Sequence, residues 1–186
     1  MSLRDKIVSW SGVTYRHLPE TVTQAADVLN FSYAGRSSNN RWNVKGEPTL
    51  YLASDMGAAL AEWSRHFVEN TNPALATVPV RRTVWRLDLA IPRVLDVRDS
   101  NVWTALSLTN APHCFLDLAI AQTVGGYLRR ITDAQALLVP SVAMLDRLDH
   151  WNLVLFLDKL PADPRQFVTQ IQNAGALEAP TGVANP

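Results

Sequence analysis

Three side chains able to do chemistry fall close together in the chain: Arg41 in an Asn-rich polar loop, Tyr51 in the run Leu50-Tyr51-Leu52-Ala53, and Glu62 in an alanine-rich segment. The residues between them supply the punctuation. Gly46 to Pro48 reads as a turn, Thr49 to Ala53 as a short strand, and Ser54 or Asp55 as the cap of a helix carrying Glu62. A loop cation, a strand aromatic and a helix carboxylate on consecutive elements can converge on one cleft. Two further arginines are candidates for that cleft: Arg16, near the end of a strand read over Gly12 to His17, and Arg36, in the polar loop from Ser32 to Asn43. Lys and Arg number 17 and Asp and Glu number 17, so no global field draws the chain to nucleic acid or an anionic membrane. An anionic ligand must then be held by a few local cations, which suits a small phosphorylated molecule better than a polymer.

Each candidate also has a plain structural reading. Arg16 alone reads as an edge-strand charge facing water. Glu62, on the stripe Ala58, Glu62, Arg65, His66, reads as a solvated carboxylate paired with Arg65 or His66. A serine after a strand, such as Ser141, is commonly a cap or turn. The alanines at 58, 59 and 61 leave room for a ligand beside the carboxylate, which a solvated face does not require.

Other chemistries lack their signatures. Cys114 is the only cysteine and no Cys or His pair has structural-zinc spacing, so a reducing cytoplasm is the simplest setting. Asp88 and Asp96 read as strand ends rather than a metal pair. The sequence contains neither a Gly-x-Gly-x-x-Gly dinucleotide fingerprint nor a P-loop. No Gly-x-Ser-x-Gly surrounds Ser141, against a serine-hydrolase nucleophile. The first twelve residues offer only Ile7-Val8 as an apolar stretch, too little for a signal peptide. No run approaches the length of a membrane span, so a soluble protein is expected.

A chain of 186 residues, 47% apolar, fits one domain with a sizeable core. Thr21 to Phe31 reads as a short helix capped by Thr21 or Thr23, and Asp55 to about Val68 as a helix with Met56, Leu60, Trp63 and Phe67 in the core. Thr83 to Leu89 and Val94 to Val97 read as strands split by Ile91-Pro92. Asn101 to Leu108 is a short helical piece and Phe115 to Arg130 a second long helix, in which Gly125-Gly126 marks a close-packing or fraying point. Ala136 to Val139 and Asn152 to Leu157 read as buried strands, with Ser141 at the exit of the first beyond Pro140. Pro, Gly, Ala and Asn accumulate from Pro161 onward, and order is expected to end near Ala174, which gives a domain over 1–173 and a disordered tail over 174–186. The architecture expected is α+β, a mixed, mainly antiparallel sheet flanked by helices, without internal repeats.

Taken together, the motifs resemble the RES domain, the toxin half of bacterial toxin-antitoxin pairs, named for its Arg, Glu and Ser. The resemblance is carried by Thr14-Tyr15-Arg16, by Arg41-Trp42-Asn43 with Gly46, by Leu50-Tyr51-Leu52-Ala53, by Ala59-Leu60-Ala61-Glu62 with His66, by Leu137-Leu138-Val139-Pro140-Ser141 and by Asn152-Leu153-Val154-Leu155-Phe156. These motifs span about residues 13 to 158, and their order and spacing are far more specific than any one of them. The chain departs from the pattern at Asn39-Asn40, where the family usually has Gly-Gly before the Arg-Trp. Asn also tolerates a left-handed backbone.

The resemblance implies an ADP-ribosyltransferase-like fold and cleavage of the nicotinamide–ribose bond of NAD, with NAD as substrate and neither another cofactor nor a metal. Nicotinamide in NAD is a cationic leaving group that departs neutral, so no acid need protonate it and one carboxylate suffices. In that frame Glu62, Arg41 and Tyr51 form the catalytic set. Glu62 hydrogen-bonds the ribose hydroxyls and stabilises the positive charge developing on the sugar. Arg41 and Arg16 bind the pyrophosphate through forked donors, with Arg36 as a second phosphate contact. Tyr51 stacks on the nicotinamide or its ribose, and Ser141 hydrogen-bonds the ligand. The acceptor stays open among water, inorganic phosphate and a protein side chain. Leu60 stands where arginine-modifying transferases carry a second acid, which favours a small acceptor. The resemblance further implies growth arrest through NAD depletion and a cognate antitoxin with a helical DNA-binding domain, without direct nucleic-acid or membrane binding by this chain; a homodimer is compatible with it. The alternative functions are a mono-ADP-ribosyltransferase that modifies a host protein and a non-catalytic partner-binding domain.

Overall fold

The computed structural model describes residues 2–32, 34–35, 40–70 and 80–179, without the side chains of 66–70 and 179. Arg36, Asn39 and the side chains of His66 and Phe67 therefore lie outside the described residues. Among the described residues, six strands and four α-helices follow one another as β1 (Ile7–Pro19), α1 (Ala25–Val28), β2 (Thr49–Ala53), α2 (Met56–Asn70), β3 (Val80–Asp96), α3 (Ser100–Ala105), α4 (Leu118–Ile131), β4 (Ala136–Pro140), β5 (Trp151–Phe156) and β6 (Val168–Ala179). Short 3₁₀ turns punctuate them, among them His113–Leu116 before α4 and Val142–Met144 after β4. The fold is α+β, and the sheet is mixed: β3 and β4 run parallel, and the other pairings are antiparallel.

The strand order β1-β2-β5-β4-β3-β6, together with a long β1–β3 pairing, brings the sheet back on itself. β3 makes this possible. Its first half lies between β1 and β6, and Val94 and Leu95 near its end lie between β1 and β4. Two separate strands were expected here, divided at Ile91-Pro92, and one continuous strand is found. Pro92 is tolerated because it sits where β3 has left β6 at Leu89 and not yet met β4 at Val94, in a bulge where Pro92 and Arg93 of β3 stand opposite Ser9 of β1. No ladder hydrogen bond there needs the missing N–H.

Alternation along the strands builds two cores. Leu153 and Leu155 of β5, with Ala136 and Leu138 of β4 and Leu50 and Leu52 of β2, face one cluster shared with Leu87, Leu89 and Phe167. Val154, Phe156, Leu137 and Val139 face the other, which is completed by Val124 and Leu128 of α4, Val102 of α3, Phe115 and Trp42. Each such aliphatic contributes roughly 1.5–3 kcal/mol on full burial. Tyr51 points to the second core between Leu50 and Leu52 of the first, which directs its hydroxyl towards Trp42.

Other boundaries also move. α1 is a single turn that starts after Gln24 without a side-chain cap, so neither Thr21 nor Thr23 serves. The helix expected over Phe115 to Arg130 begins at Leu118, because Asp117 accepts from the amides of Ala119 and Ile120 and so ends the preceding 3₁₀ turn. α2 buries Ala58, Ala59 and Trp63, while Met56 and Leu60 are only partly buried beside them. Alanine lets the helix lie close to the sheet. The expected end of order near Ala174 falls inside β6, which continues to Ala179 through pairing with Val80 to Leu89 of β3. No helix among the described residues is long and apolar enough to cross a membrane.

Candidate active site

The site forms where β1 and β2 separate. They meet at a single pair, Tyr15 with Ala53. Beyond it, Arg16 to Leu18 remain paired with β3 and Thr49 to Leu52 with β5, so two strand edges diverge. A cavity of about 410 Å³ occupies the wedge, with Arg16, Leu18, Thr49 and Leu50 on its two walls. A second cavity of about 260 Å³ is lined by Arg41, Trp42, Trp63 and Arg65. His17, Asn40, Tyr51, Glu62 and Asn152 line both and mark the junction.

Glu62 lies at that junction on the face of α2 turned to the exit of β4 and the start of β5. Its Oε1 accepts from Ser141 Oγ at 2.8 Å, from Asn152 Nδ2 at 3.0 Å and from the Ala143 amide at 3.4 Å. Its Oε2 accepts from Arg65, with Nε at 3.4 Å and NH2 at 3.3 Å. The helix-surface pairing with Arg65 thus exists, but on one oxygen only. The other is tied to the exit of β4 and to the start of β5, which fixes the carboxylate plane. Ser141 is fully buried and meets Glu62 from behind, whereas Asn152 reaches it from within the cavity lining.

Tyr51 and Arg41 are joined through the loop between them. The Tyr51 hydroxyl donates to Asn43 Oδ1 at 2.7 Å and accepts from the Trp42 amide at 2.8 Å. Burial pushes this phenol well above its ordinary pKa, outweighing the hydrogen bond from the Trp42 amide and the charge of Arg41. Asn43, itself fully buried, donates to the Val44 carbonyl at 2.8 Å and closes the turn. Trp42 packs on Phe115 with ring centroids 4.8 Å apart, and Gln122 of α4 donates to the Asn40 carbonyl at 2.8 Å. Arg41 NH1 donates to the carbonyls of Phe115 and Leu116 at 2.8 and 2.9 Å, so the guanidinium has a fixed direction. Gly125 is the reason α4 comes this near: a Cβ there would stand 2.3 Å from the Trp42 carbonyl oxygen. Of the two sequence alternatives at Gly125-Gly126, close packing holds for Gly125. Among the described non-glycine residues, left-handed backbone occurs at Ser107 and Asn110; Asn40 does not use it.

Arg16 is not an edge charge facing water. Its NH1 donates to the Val28 carbonyl, and its guanidinium lies 5.1 Å from the Phe31 ring centre. Burial lowers its pKa to about 10, which leaves it a cation at neutral pH. Arg16 and Arg41 therefore stand in different lobes, with Glu62 between. Asp55 caps α2 by accepting from the Ala58 amide at 2.8 Å, and its Oδ2 binds Ser54 Oγ at 2.6 Å and His150 Nδ1 at 2.8 Å. This clasp ties the start of the Glu62 helix to the segment that delivers Asn152.

The structure brings Glu62, Tyr51, Arg41, Arg16 and Ser141 around one two-lobed cleft. Asn152, Asn43 and His17 join them and were not singled out from the sequence. Asn152 had a signal, as the polar head of the apolar run Leu153 to Phe156, and Asn43 stands within the Arg-Trp-Asn motif. His17 follows Arg16 and stacks on Trp63 at 5.8 Å. Among the described residues no cluster of His, Cys, Asp or Glu could hold a metal ion; Asp88 pairs with Arg86 and Asp96 with Arg98.

No curated protein matches the chain. Among solved structures, a chain in the crystal structure of the M. tuberculosis MbcT-MbcA toxin-antitoxin complex is similar, with a TM-score of 0.60 at 20% identity over 95% of this chain and 91% of that one. At that identity the likeness is one of fold. The RES domain family model matches residues 17–176, which takes in every described site residue except Arg16, and on that match the chain belongs to the RES domain family.

Proposed function

We propose that this chain is the toxin of a toxin-antitoxin pair and that it breaks the bond between nicotinamide and ribose in NAD, with a small acceptor completing the reaction. The observation that carries the reading is the placement of Glu62: a single carboxylate, held by Ser141 and Asn152, at the junction of two cavities with cations in each. Loss of a cationic leaving group requires stabilisation of positive charge on the sugar and no proton for the departing base, so one oriented carboxylate meets the demand. Arg16 and Arg41, one in each lobe, are each suited to an anionic phosphate, for which a planar fork is a better match than an ammonium. Tyr51 serves chiefly by holding the Arg41 loop, with its ring on the cavity wall. Ser141 acts through Glu62 as a positioning residue. Membership of the RES family and the likeness to a toxin-antitoxin complex support a protein antitoxin as partner.

Incubation of the purified chain with NAD labelled in the ADP-ribose portion, with and without inorganic phosphate, tests this. Release of nicotinamide with label in free ADP-ribose means transfer to water, and label in a phosphorylated ADP-ribose means transfer to phosphate. Label on protein would replace the small acceptor by a polypeptide. Intact NAD in both conditions would overturn the enzymatic reading.

A further inference from the structure

Asn152 holds Glu62 with only part of its amide. A carboxylate accepts hydrogen bonds and donates none, so the nitrogen of the Asn152 amide must face Glu62 Oε1, as the 3.0 Å contact requires. The amide oxygen is thereby turned the other way. Asn152 lines both cavities, and among the described residues its Oδ1 has no hydrogen-bond partner, nor does it belong to the buried polar atoms left without one. An acceptor in that position is open to the cleft. Glu62 presents a second acceptor beside it, Oε2, occupied among the described residues only by the long contacts to Arg65.

We propose that Asn152 Oδ1 and Glu62 Oε2 form a two-acceptor clamp for the vicinal hydroxyls of a ribose, with Asn152 as the residue that makes the site select an intact diol. Two neighbouring hydroxyls are two donors at a fixed spacing, and two adjacent acceptors on rigid elements match them. Both supports are rigid: Asn152 is paired on one side with Ala53 of β2 and on the other with Val139 of β4, and Oε1 of Glu62 is anchored by Ser141. An amide is the side chain this position needs. It donates to one oxygen of Glu62 and accepts from the ligand, whereas a carboxylate would repel Glu62 and an aliphatic residue would do neither. A site built to hydrogen-bond a hydroxyl discriminates strongly against the analogue that lacks it. The choice of ribose as ligand rests on the NAD-cleaving reading; the presence of a free acceptor beside Glu62 does not.

The test pairs deletion of the residue with deletion of the hydroxyl. Nicotinamide release is measured for wild type and Asn152→Ala on NAD and on its analogues lacking the 2′- or the 3′-hydroxyl of the nicotinamide ribose. The altered intrinsic reactivity of each analogue is common to both proteins and cancels in the ratio. The clamp predicts that one of the two analogues loses about 10-fold or more in kcat/KM relative to NAD on wild type and at least 5-fold less of that loss on Asn152→Ala, a non-additive result. If Asn152→Ala slows all three substrates by one common factor, Asn152 acts only through Glu62 and the clamp is overturned. Calorimetric titration of ADP-ribose and its deoxyribose analogues into both proteins repeats the comparison without turnover. A wild type inert towards NAD would remove the catalytic reading. The clamp would then stand if hydroxyl loss weakens binding to wild type more than to Asn152→Ala, and fall if it weakens both alike. Asn152→Ser is the replacement to use should Asn152→Ala not fold.

Discussion

Ser141 Oγ donates to Glu62 Oε1 at 2.8 Å across 79 residues of sequence, and through that bond the exit of β4 sets the direction of a carboxylate carried by α2. Pro140 closes the strand and fixes the backbone that presents the serine. Ser141→Ala should therefore lower kcat for nicotinamide release by about 10- to 100-fold, since hydrogen bonds to charged groups contribute roughly 1.5–3 kcal/mol. KM for NAD should change little, because the serine is buried behind the carboxylate. A rise in KM with kcat intact would place Ser141 against the ligand instead.

The Tyr51 hydroxyl makes two bonds to the loop that carries Arg41. Tyr51→Phe keeps the ring and leaves the Trp42 amide and Asn43 Oδ1 without that partner, at a cost of about 1–3 kcal/mol. The expected outcome is a lower thermal midpoint and a several-fold rise in KM for NAD. A variant as stable as wild type would show that the loop does not depend on the hydroxyl.

Gly125→Ala reaches the site from outside it. Its Cβ would stand 2.3 Å from the Trp42 carbonyl oxygen, a backbone atom that cannot rotate away, so the loop or α4 must shift at a cost of about 1–3 kcal/mol. NAD binding should weaken through Arg41 while Glu62 keeps its partners. Gly126→Ala is the control, because the neighbouring Cβ would meet only the end of the flexible Arg130 side chain at 3.2 Å. Equal effects of the two substitutions on KM would contradict the close approach.

Much of this arrangement was legible in the sequence. Thr49 to Ala53 is read and found as the same strand, because a Gly-Pro turn bounds an apolar run on one side and a Ser-Asp cap on the other. Helix α2 was legible in type, start and the burial of Trp63, but not in the rest of its buried face: amphipathic spacing favours large side chains such as Met56 and Leu60, whereas this helix packs also through Ala58 and Ala59. The continuity of β3 was hidden because Pro92 is tolerated only through an exchange of partners between distant strands. For the same reason Asn152 escaped notice as a site residue, since the carboxylate it binds is 90 residues away. Ser141 could be seen as a polar residue at a strand exit; that it meets Glu62 is a fact of topology.

Asp55 links stability to pH. Burial alone would raise its pKa, but the hydrogen bonds from Ser54, the Ala58 amide and His150 outweigh it, and the net direction is downward. A carboxylate depressed in the folded state adds stability above the ordinary carboxylate range, and that contribution is lost as pH falls through the folded value. The thermal midpoint of wild type should therefore exceed that of Asp55→Asn at neutral pH, and the gap should close as pH drops below about 4. A gap that does not narrow at all as pH falls below about 4 would mean that the clasp on His150 and Ser54 does not depend on the charge.

The most direct test of the central claim compares wild type with Glu62→Gln for nicotinamide release and for NAD binding. Glutamine keeps the shape of the side chain and removes the charge that the transition state of glycosidic cleavage calls for. The account predicts a loss of about 10²- to 10³-fold in kcat, with the dissociation constant for NAD changed by no more than a few-fold. A Glu62→Gln protein that turns over NAD at close to the wild-type rate would contradict it and return Glu62 to a structural partner of Ser141, Asn152 and Arg65.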